Sequence, residues 1–188
     1  TGDYDVLHEK TPFLEDEPLK EFEDEAYRVP RVSQTVSTLY DHCIRAINRS
    51  LKFGEHGIPL IGSGDWNDGM NTVGNKGKGE SVWLGWFLYS ILKSFAPLCE
   101  RMGDHDLAKR YLDTADKIVE NIEKNAWDGN WYRRAYFDNG LPLGSIQNSE
   151  CQIDSLAQSW AVISEGGDKD RIIEAMDALE NYLVKRDE

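Results

Sequence analysis

The fold is decided by residues 81–125, which read SVWLGWFLYSILKSFAPLCERMGDHDLAKRYLDTADKIVENIEKN. The first half is largely apolar, which predicts a helix over about Ser81–Arg101, bent or shortened at Pro97. Glycine at position 103 then predicts a tight turn. Apolar residues on one face indicate a second helix up to about Asn125. The stretch therefore predicts two antiparallel helices joined by a short turn.

The same periodicity predicts three more helices on either side. One is expected to begin after Pro30 with Ser33 as its N-cap and to run to about Leu51. The other two are expected at about Ile153–Ser164 and Lys169–Val184. Successive helix hairpins with long loops between them predict an all-α fold, either an α/α barrel or a solenoid.

Three segments interrupt the helical pattern. Residues 1–31 are acidic and contain three prolines, so we expect an extended arm with at most a short strand. Residues 52–80 are rich in Gly, Asn and Asp, and a loop of this length inside a domain is typical of a functional segment. In residues 127–145, aromatic runs flank the turn signal Asp138-Asn139-Gly140, which predicts a small β-hairpin.

The composition narrows the classes of partner and compartment. The net charge of −13 and the isoelectric point of about 4.7, with no basic stripe, argue against nucleic acid. Three widely spaced cysteines in no metal-like pattern predict buried free thiols in a reducing compartment. The scattered histidines indicate no metal site. We also find no signal peptide and no long apolar run, so no membrane span is expected.

The densest group of chemically active side chains is Gly64-Asp-Trp-Asn-Asp-Gly69. An aromatic ring beside a carboxylate suits a glycosidic site, because the ring desolvates a sugar face and apolar surroundings raise the pKa of an acid that must donate a proton. Asp65, Trp66, Asn67 and Asp68 are therefore candidates. The alternative is that Asp and Asn are ordinary turn-forming residues in a glycine-rich loop.

Two later segments carry further candidates. Arg133, next to a second arginine in a ring-rich run, is suited to hold sugar hydroxyls in fixed geometry, although it is equally compatible with a surface charge. Glu150 precedes a helix whose Gln158 lies one turn after Asp154, so these polar groups either line a pocket or cap the helix. The Gly-Lys-Gly run around Lys76 lacks phosphate-loop spacing and is expected to be solvated and mobile.

Four ordered motifs resemble one known family. GIPLIGSGDWNDGMN (57–71), GESVWLGWFL (79–88), DGNWYRRAYFDNGLPLGS (128–145) and QIDSLAQSWAVIS (152–164) are similar to the inverting β-glucoside phosphorylases, family 94 of the glycoside hydrolases. Within the family, the chain looks most like the C-terminal phosphorylase-like domains of cyclic β-1,2-glucan synthases and like 1,2-β-oligoglucan phosphorylases. The resemblance covers nearly the whole chain.

The resemblance implies a fold and a reaction. The chain would be one fragment, residues 1–188, of a single (α/α)6-barrel catalytic domain from a bacterial enzyme. That enzyme would catalyse reversible, inverting phosphorolysis of β-glucosidic bonds to α-glucose 1-phosphate, with inorganic phosphate as co-substrate and no cofactor or metal. In the family motif the second Asp is the general acid, here Asp68, and the Trp, here Trp66, lines the donor-sugar subsite. The segment that matches Glu150–Gln158 lies near the acceptor side in the family, so Glu150 and Gln158 are expected to bind substrate. Asp65, Asn67 and Arg133 are expected to do so from their chemistry alone.

The resemblance also implies that the site is incomplete in this chain. The family's donor-sugar Arg and Asp residues precede the matched region and its phosphate segment follows it, so an excised, inactive fragment is expected. Its partners would be a β-glucan oligosaccharide, phosphate and the rest of the parent polypeptide, with a homodimer as an open alternative. The expected location is the cytoplasm, with attachment of the parent to the inner membrane left open. Two other functions also stay open, a noncatalytic carbohydrate-binding helical domain and an α/α-barrel hydrolase that uses water.

Overall fold

The computed structural model describes residues 2–20, 23 and 26–185, in two compact units, 1–51 and 52–188. Residues 21, 22, 24 and 25 of the predicted acidic arm and the charged terminus at 186–188 lie outside the described residues. Five α-helices and two small antiparallel sheets form most of the regular structure in the described part, which agrees with the predicted helical class and its β-hairpin insertion. The barrel itself stays a prediction.

The first unit is built on a β-ribbon rather than on a helix that begins after Pro30. Strand β1 (Lys10–Glu15) pairs antiparallel with β2 (Arg31–Thr38), and helix α1 (Leu39–Ser50) follows. Thr38 caps α1, since its hydroxyl accepts a hydrogen bond from the backbone N–H of Asp41 at 3.1 Å. The predicted N-cap at Ser33 is therefore wrong: Ser33 is a buried strand residue.

The second unit is organised around the predicted helix hairpin. Helix α2 (Val82–Arg101) is capped by Ser81 and runs through Pro97 without being shortened. Helix α3 (His105–Asn125) runs antiparallel to it, because Phe95 contacts Tyr111 at a ring-centroid distance of 6.3 Å while the space beside Gly85 is filled by Ile122. The predicted hairpin is confirmed in order, bounds and direction.

Helix α2 lies in the core of this unit. It is 20 residues long and predominantly apolar, so by length and composition alone it could cross a membrane. Half of its apolar stretch is buried, and Trp86, near the start of the helix, is 0% exposed with its ring edge-on to Tyr132 at 5.3 Å. A helix that packs against both α3 and the next helix is apolar on several faces for that reason. The expectation that the chain has no long apolar run is corrected accordingly.

The second unit also contains a second, shorter helix hairpin and a small sheet. Helices α4 (Ser155–Ser164) and α5 (Lys169–Leu183) match the predictions within two residues, and α4 packs on α2. The predicted β-hairpin is confirmed as β4 (Ala135–Tyr136) and β5 (Pro142–Leu143). Strand β3 (Glu80–Ser81), which immediately precedes α2, adds to its other edge. The sheet thus fixes the end of the 52–80 loop against the hairpin.

The cysteines correct one further expectation. Cys99 is buried in α2, but Cys43 and Cys151 are exposed. The prediction of buried thiols therefore holds for Cys99 alone.

Candidate functional site

The Gly64–Gly69 segment is a chain of tight turns held at both ends. The Oδ1 atom of Asp65 accepts from the backbone N–H of Asn67 at 3.1 Å, and Asn67 in turn accepts from that of Gly69 at 3.0 Å. Such side-chain-to-backbone bonds are the usual reason that Asp and Asn occupy tight turns. On either side of the segment, the buried residues Ile61 and Val73 pack together with Ala135 of β4. The loop therefore has an apolar base and a polar, exposed tip.

Asp65 is the anchor of this loop. Its side chain is 0% exposed and faces the guanidinium of Arg134, with Nη2 at 2.9 Å from Oδ1 and 2.7 Å from Oδ2. The hydroxyl of Ser81 donates to Oδ2 at 2.7 Å and accepts from Arg134 Nη1 at 3.1 Å. Asp154 lies on the other side of the guanidinium, 3.7 Å from its Nε atom. A carboxylate with this many internal partners has no free oxygen to offer a sugar.

The tip of the loop carries the two residues that the sequence placed at the reaction centre. Trp66 is 67% exposed, which is the arrangement expected of a ring that meets a ligand and not of one that fills a core. Asp68 begins the short 3₁₀ turn Asp68–Met70, and its side chain lies outside what the structure describes. The roles of Trp66 in the donor-sugar subsite and of Asp68 as the general acid stay predictions.

Arg133 is engaged within the protein. Its guanidinium contacts the Asp128 carboxylate at 2.6 and 2.7 Å, the Tyr136 hydroxyl at 2.8 Å and the backbone carbonyl of Asn125 at 3.2 Å. Burial alone would lower the pKa of Arg133, but the hydrogen bonds to Tyr136 and Asp128 outweigh it and raise the pKa. The geometry favours a structural role, in which Arg133 fixes the turn before β4.

Gln158 and Glu150 occupy different environments. Gln158 is 0% exposed, and its amide group exchanges two hydrogen bonds with the backbone of Tyr132, at 2.8 and 2.7 Å. It therefore holds the start of the β-hairpin against α4 and offers no surface to a ligand in this conformation. Glu150 is exposed, five residues before α4 begins. Substrate binding by either residue stays a prediction.

A cleft of about 520 Å³ lies beside the sheet formed by β3, β4 and β5. Its walls include His56 and Glu80, whose buried carboxylate accepts hydrogen bonds from the backbone N–H groups of His56 and Ile58 and contacts the His56 ring. The imidazole also stacks on Tyr136 at a centroid distance of 3.8 Å. This cluster ties the start of the 52–80 loop to β3.

The glycine-lysine run is anchored by a carboxylate. Asp138 accepts hydrogen bonds from the backbone N–H groups of Lys76, Lys78 and Gly79 at 2.8–2.9 Å. Slight burial alone would raise the pKa of Asp138. The three backbone donors lower it by more, so the pKa lies below its usual value. The amides that would cradle a phosphate are occupied by Asp138 in this conformation.

We expect Asp138→Asn to lower the free energy of unfolding by about 1 kcal/mol at pH 7, since water partly screens this partly exposed carboxylate. Because the folded-state pKa is lowered, the stabilisation should be complete above the unfolded-state pKa and fade as the pH falls below about 4. Urea denaturation at several pH values measures this. Asp177→Asn, which neutralises an exposed carboxylate on α5, is the control. A difference between wild type and Asp138→Asn that persists unchanged at pH 2 would contradict the assignment.

Sequence reasoning missed the residue that organises the site. Arg134 is 1% exposed, whereas the candidate chosen from the pair was Arg133. Consecutive residues of extended backbone point to opposite sides, so only one of the pair could face the loop. The position of Arg134 directly before Ala135-Tyr136 was the available signal, but its partner Asp65 is 69 residues away. Among the residues that the structure describes, no three His, Cys, Asp or Glu side chains are grouped as a metal site.

Comparison with known proteins agrees with these motifs. Residues 4–187 match the family model for the glycosyl hydrolase 94 superfamily, catalytic domain. The chain is 44% identical to the cyclic β-(1,2)-glucan synthase NdvB of Rhizobium meliloti over 98% of its length and 6% of that protein. It is 36% identical to the solabiose phosphorylase of Paenibacillus borealis, over 97% of the chain and 22% of that enzyme. It is 32% identical to the cellobionic acid phosphorylase of Neurospora crassa, over 97% and 21%.

These relatives are much longer than this chain, which spans about a fifth or less of each. The match nonetheless extends over almost every residue of the chain and includes all four motifs. The chain belongs to the glycosyl hydrolase 94 superfamily, whose catalytic-domain model it matches over residues 4–187.

Proposed function

We propose that this chain carries the general acid of an enzyme that cleaves β-glucosidic bonds with inorganic phosphate and inverts the anomeric centre. The observation that carries the proposal is the Gly64–Gly69 loop, which presents an exposed Trp66 two residues before Asp68 while burying Asp65 in an ion pair. Family membership supports a glycosyl-transferring enzyme, because the relatives named above are phosphorylases and a glucan synthase.

In the proposed reaction, Asp68 donates its proton to the glycosidic oxygen as the bond to the anomeric carbon breaks. A phosphate oxygen attacks that carbon from the opposite face, which converts a β-glucoside into α-glucose 1-phosphate. Phosphate is already an anion and needs no base. One protein carboxylate is then sufficient, whereas an inverting hydrolase needs a second carboxylate about 6.5–9.5 Å away to activate water.

The loop itself favours the phosphorylase over the hydrolase. Asp65 is the nearest carboxylate in sequence to Asp68, but both of its oxygens are engaged by Arg134 and Ser81. A carboxylate held in a buried ion pair is a poor general base, because taking up a proton would leave the guanidinium uncompensated. A water-activating residue would therefore have to come from another segment.

The finer points of the proposal concern the substrate and the rest of the fold. We propose β-1,2-glucan as the substrate on the basis of the 44% identity to a cyclic β-(1,2)-glucan synthase. We also propose that the hairpins α2–α3 and α4–α5 form part of an (α/α)6 barrel. The remaining groups that bind the donor sugar, and those that bind phosphate, would then be supplied by other segments of a longer parent polypeptide.

We expect the parent enzyme to release glucose 1-phosphate from sophorose and longer β-1,2-glucans only when phosphate is present. The isolated chain should show little or no such activity, because a general acid without complete donor and phosphate subsites cannot hold the two reactants in position for the reaction. A coupled assay for glucose 1-phosphate measures both, with laminaribiose and cellobiose as linkage controls. Release of free glucose without phosphate would favour the hydrolase. Sugar binding without turnover would favour the noncatalytic domain.

A further inference from the structure

We propose that Arg134 and Asp65 are positioning residues for general-acid catalysis: their buried ion pair fixes the loop that presents Asp68, and neither side chain contacts substrate. The inference rests on the proposed function, in which Asp68 is the acid. It differs from the sequence-based prediction, which assigned Asp65 to substrate binding and chose Arg133 over Arg134.

The first step is burial. The side chain of Arg134 is 2% exposed and that of Asp65 is 0% exposed, although the loop backbone at Asp65 is partly exposed. Both guanidinium–carboxylate distances are below 3.0 Å. A pair this deeply buried meets the protein alone, so any effect on a bound sugar has to pass through the loop backbone.

The second step is the bracing of three elements by one guanidinium. Ser81 caps α2 by accepting a hydrogen bond from the backbone N–H of Leu84. Its hydroxyl also accepts a hydrogen bond from Arg134 and donates one to Asp65. Asp154 caps α4 and lies beside the Nε atom of Arg134. These contacts attach the loop to the N-termini of α2 and α4, and residues on rigid helices are held in place better than residues on loops.

The third step leads from Asp65 to the residues around Asp68. Asp65 accepts from the N–H of Asn67, and Asn67 accepts from the N–H of Gly69, so the backbone N–H groups of both neighbours of Asp68 are held by side chains in a series that begins at Arg134. A misplacement of about 1 Å at a catalytic group is enough to reduce turnover strongly. The ion pair therefore acts on the acid through two consecutive turns.

The test separates positioning from stability by means of a double variant. Asp65→Asn and Arg134→Met each leave one buried charge or polar group uncompensated, so each should lower the melting temperature of the chain. The double variant removes both charges and should recover most of that loss. Arg134→Lys, which keeps the charge but not the planar fork, provides a folded single variant if the others fail to fold.

Two readouts report on the loop. Hydrogen exchange of the Asn67 and Gly69 amides, measured on this chain, should be faster by about 10-fold or more in the single variants and in the double variant. In the parent enzyme, the kcat of the double variant for phosphorolysis should fall by about 10-fold or more while the KM for phosphate changes by less than about twofold. A purely structural pair predicts instead that exchange and kcat return to wild-type values together with stability, and that result would overturn the proposal.

The control is a second ion pair of the same unit, Glu123 with Arg171, whose atoms approach to 2.7 Å. Glu123→Gln/Arg171→Met should leave the exchange of the loop amides and the kcat unchanged. Equal loop loosening in this variant would also overturn the proposal. If the wild-type parent releases no glucose 1-phosphate, the proposed function fails, while amide exchange in the chain itself still decides whether Arg134 and Asp65 hold the loop.

Discussion

We expect Asp68→Asn in the parent enzyme to lower the rate of phosphorolysis by at least about 100-fold, because the amide cannot donate a proton to the departing glycosidic oxygen. The residue follows the exposed Trp66 by two positions, on a loop whose base is fixed by the Asp65–Arg134 ion pair. Initial rates of glucose 1-phosphate release from β-1,2-glucan measure the effect. The synthetic direction should fall by a similar factor, since the same group removes the proton in reverse.

The leaving group provides the sharpest control for this prediction. An aryl β-glucoside with an acidic phenol releases its phenolate without needing a proton. Asp68→Asn should therefore lose far less activity on this substrate than on a glucan. Asp177→Asn, on the exposed face of α5, should leave both rates unchanged. Near-normal turnover of glucan by Asp68→Asn would remove Asp68 from the reaction.

The helical part of the fold could be predicted because its signals are local. Helices α2 and α3 are each about 20 residues long, with a Ser81 cap at one end and a glycine turn between them. Over such lengths the apolar periodicity leaves little choice of structure. The β-hairpin could be predicted in the same way, from the turn signal Asp138-Asn139-Gly140 and the aromatic residues on either side of it.

The β-ribbon of the first unit could not be predicted, because its cause is not local. In Arg31–Thr38, Val32 and Val36 stand four residues apart, which suits a helix face as well as a strand. The segment becomes a strand because Leu14 and Pro12 of β1 pair with these two residues. The β-branched residues were the only hint, and pairing across a gap of about 15 residues overrode the helical reading.

The candidate site was half predictable for a similar reason. The Gly64–Gly69 loop could be found from its composition, since Gly, Asp and Asn have a physical reason to occur together in turns. The sequence could not say that the Asp65 carboxylate is buried, because that depends on Arg134, 69 residues away. Gln158 likewise looked like a pocket residue but holds the backbone of Tyr132. Polar residues at helix starts serve structure and ligands with the same chemistry.

We expect Trp66→Ala to weaken substrate binding and turnover while leaving stability almost unchanged. The indole is 67% exposed, so its removal should change the free energy of unfolding by less than about 0.5 kcal/mol. If the ring covers a sugar face in the proposed donor subsite, the loss of about 100 Å² of apolar contact would cost roughly 2 kcal/mol, or about 30-fold in kcat/KM. Urea denaturation and steady-state kinetics of the parent enzyme measure the two effects on the same samples.

Trp86→Ala gives the opposite pattern and so calibrates the experiment. Trp86 is 0% exposed and its ring meets Tyr132 edge-on in the core, so its truncation should cost about 3–5 kcal/mol of stability. A conservative change, Trp66→Phe, should retain part of the affinity because a smaller ring still covers part of the sugar. If Trp66→Ala instead destabilises the protein as Trp86→Ala does, or leaves kcat/KM unchanged, then the exposed ring serves the fold or nothing at all, and the loop loses its role as a sugar-binding surface.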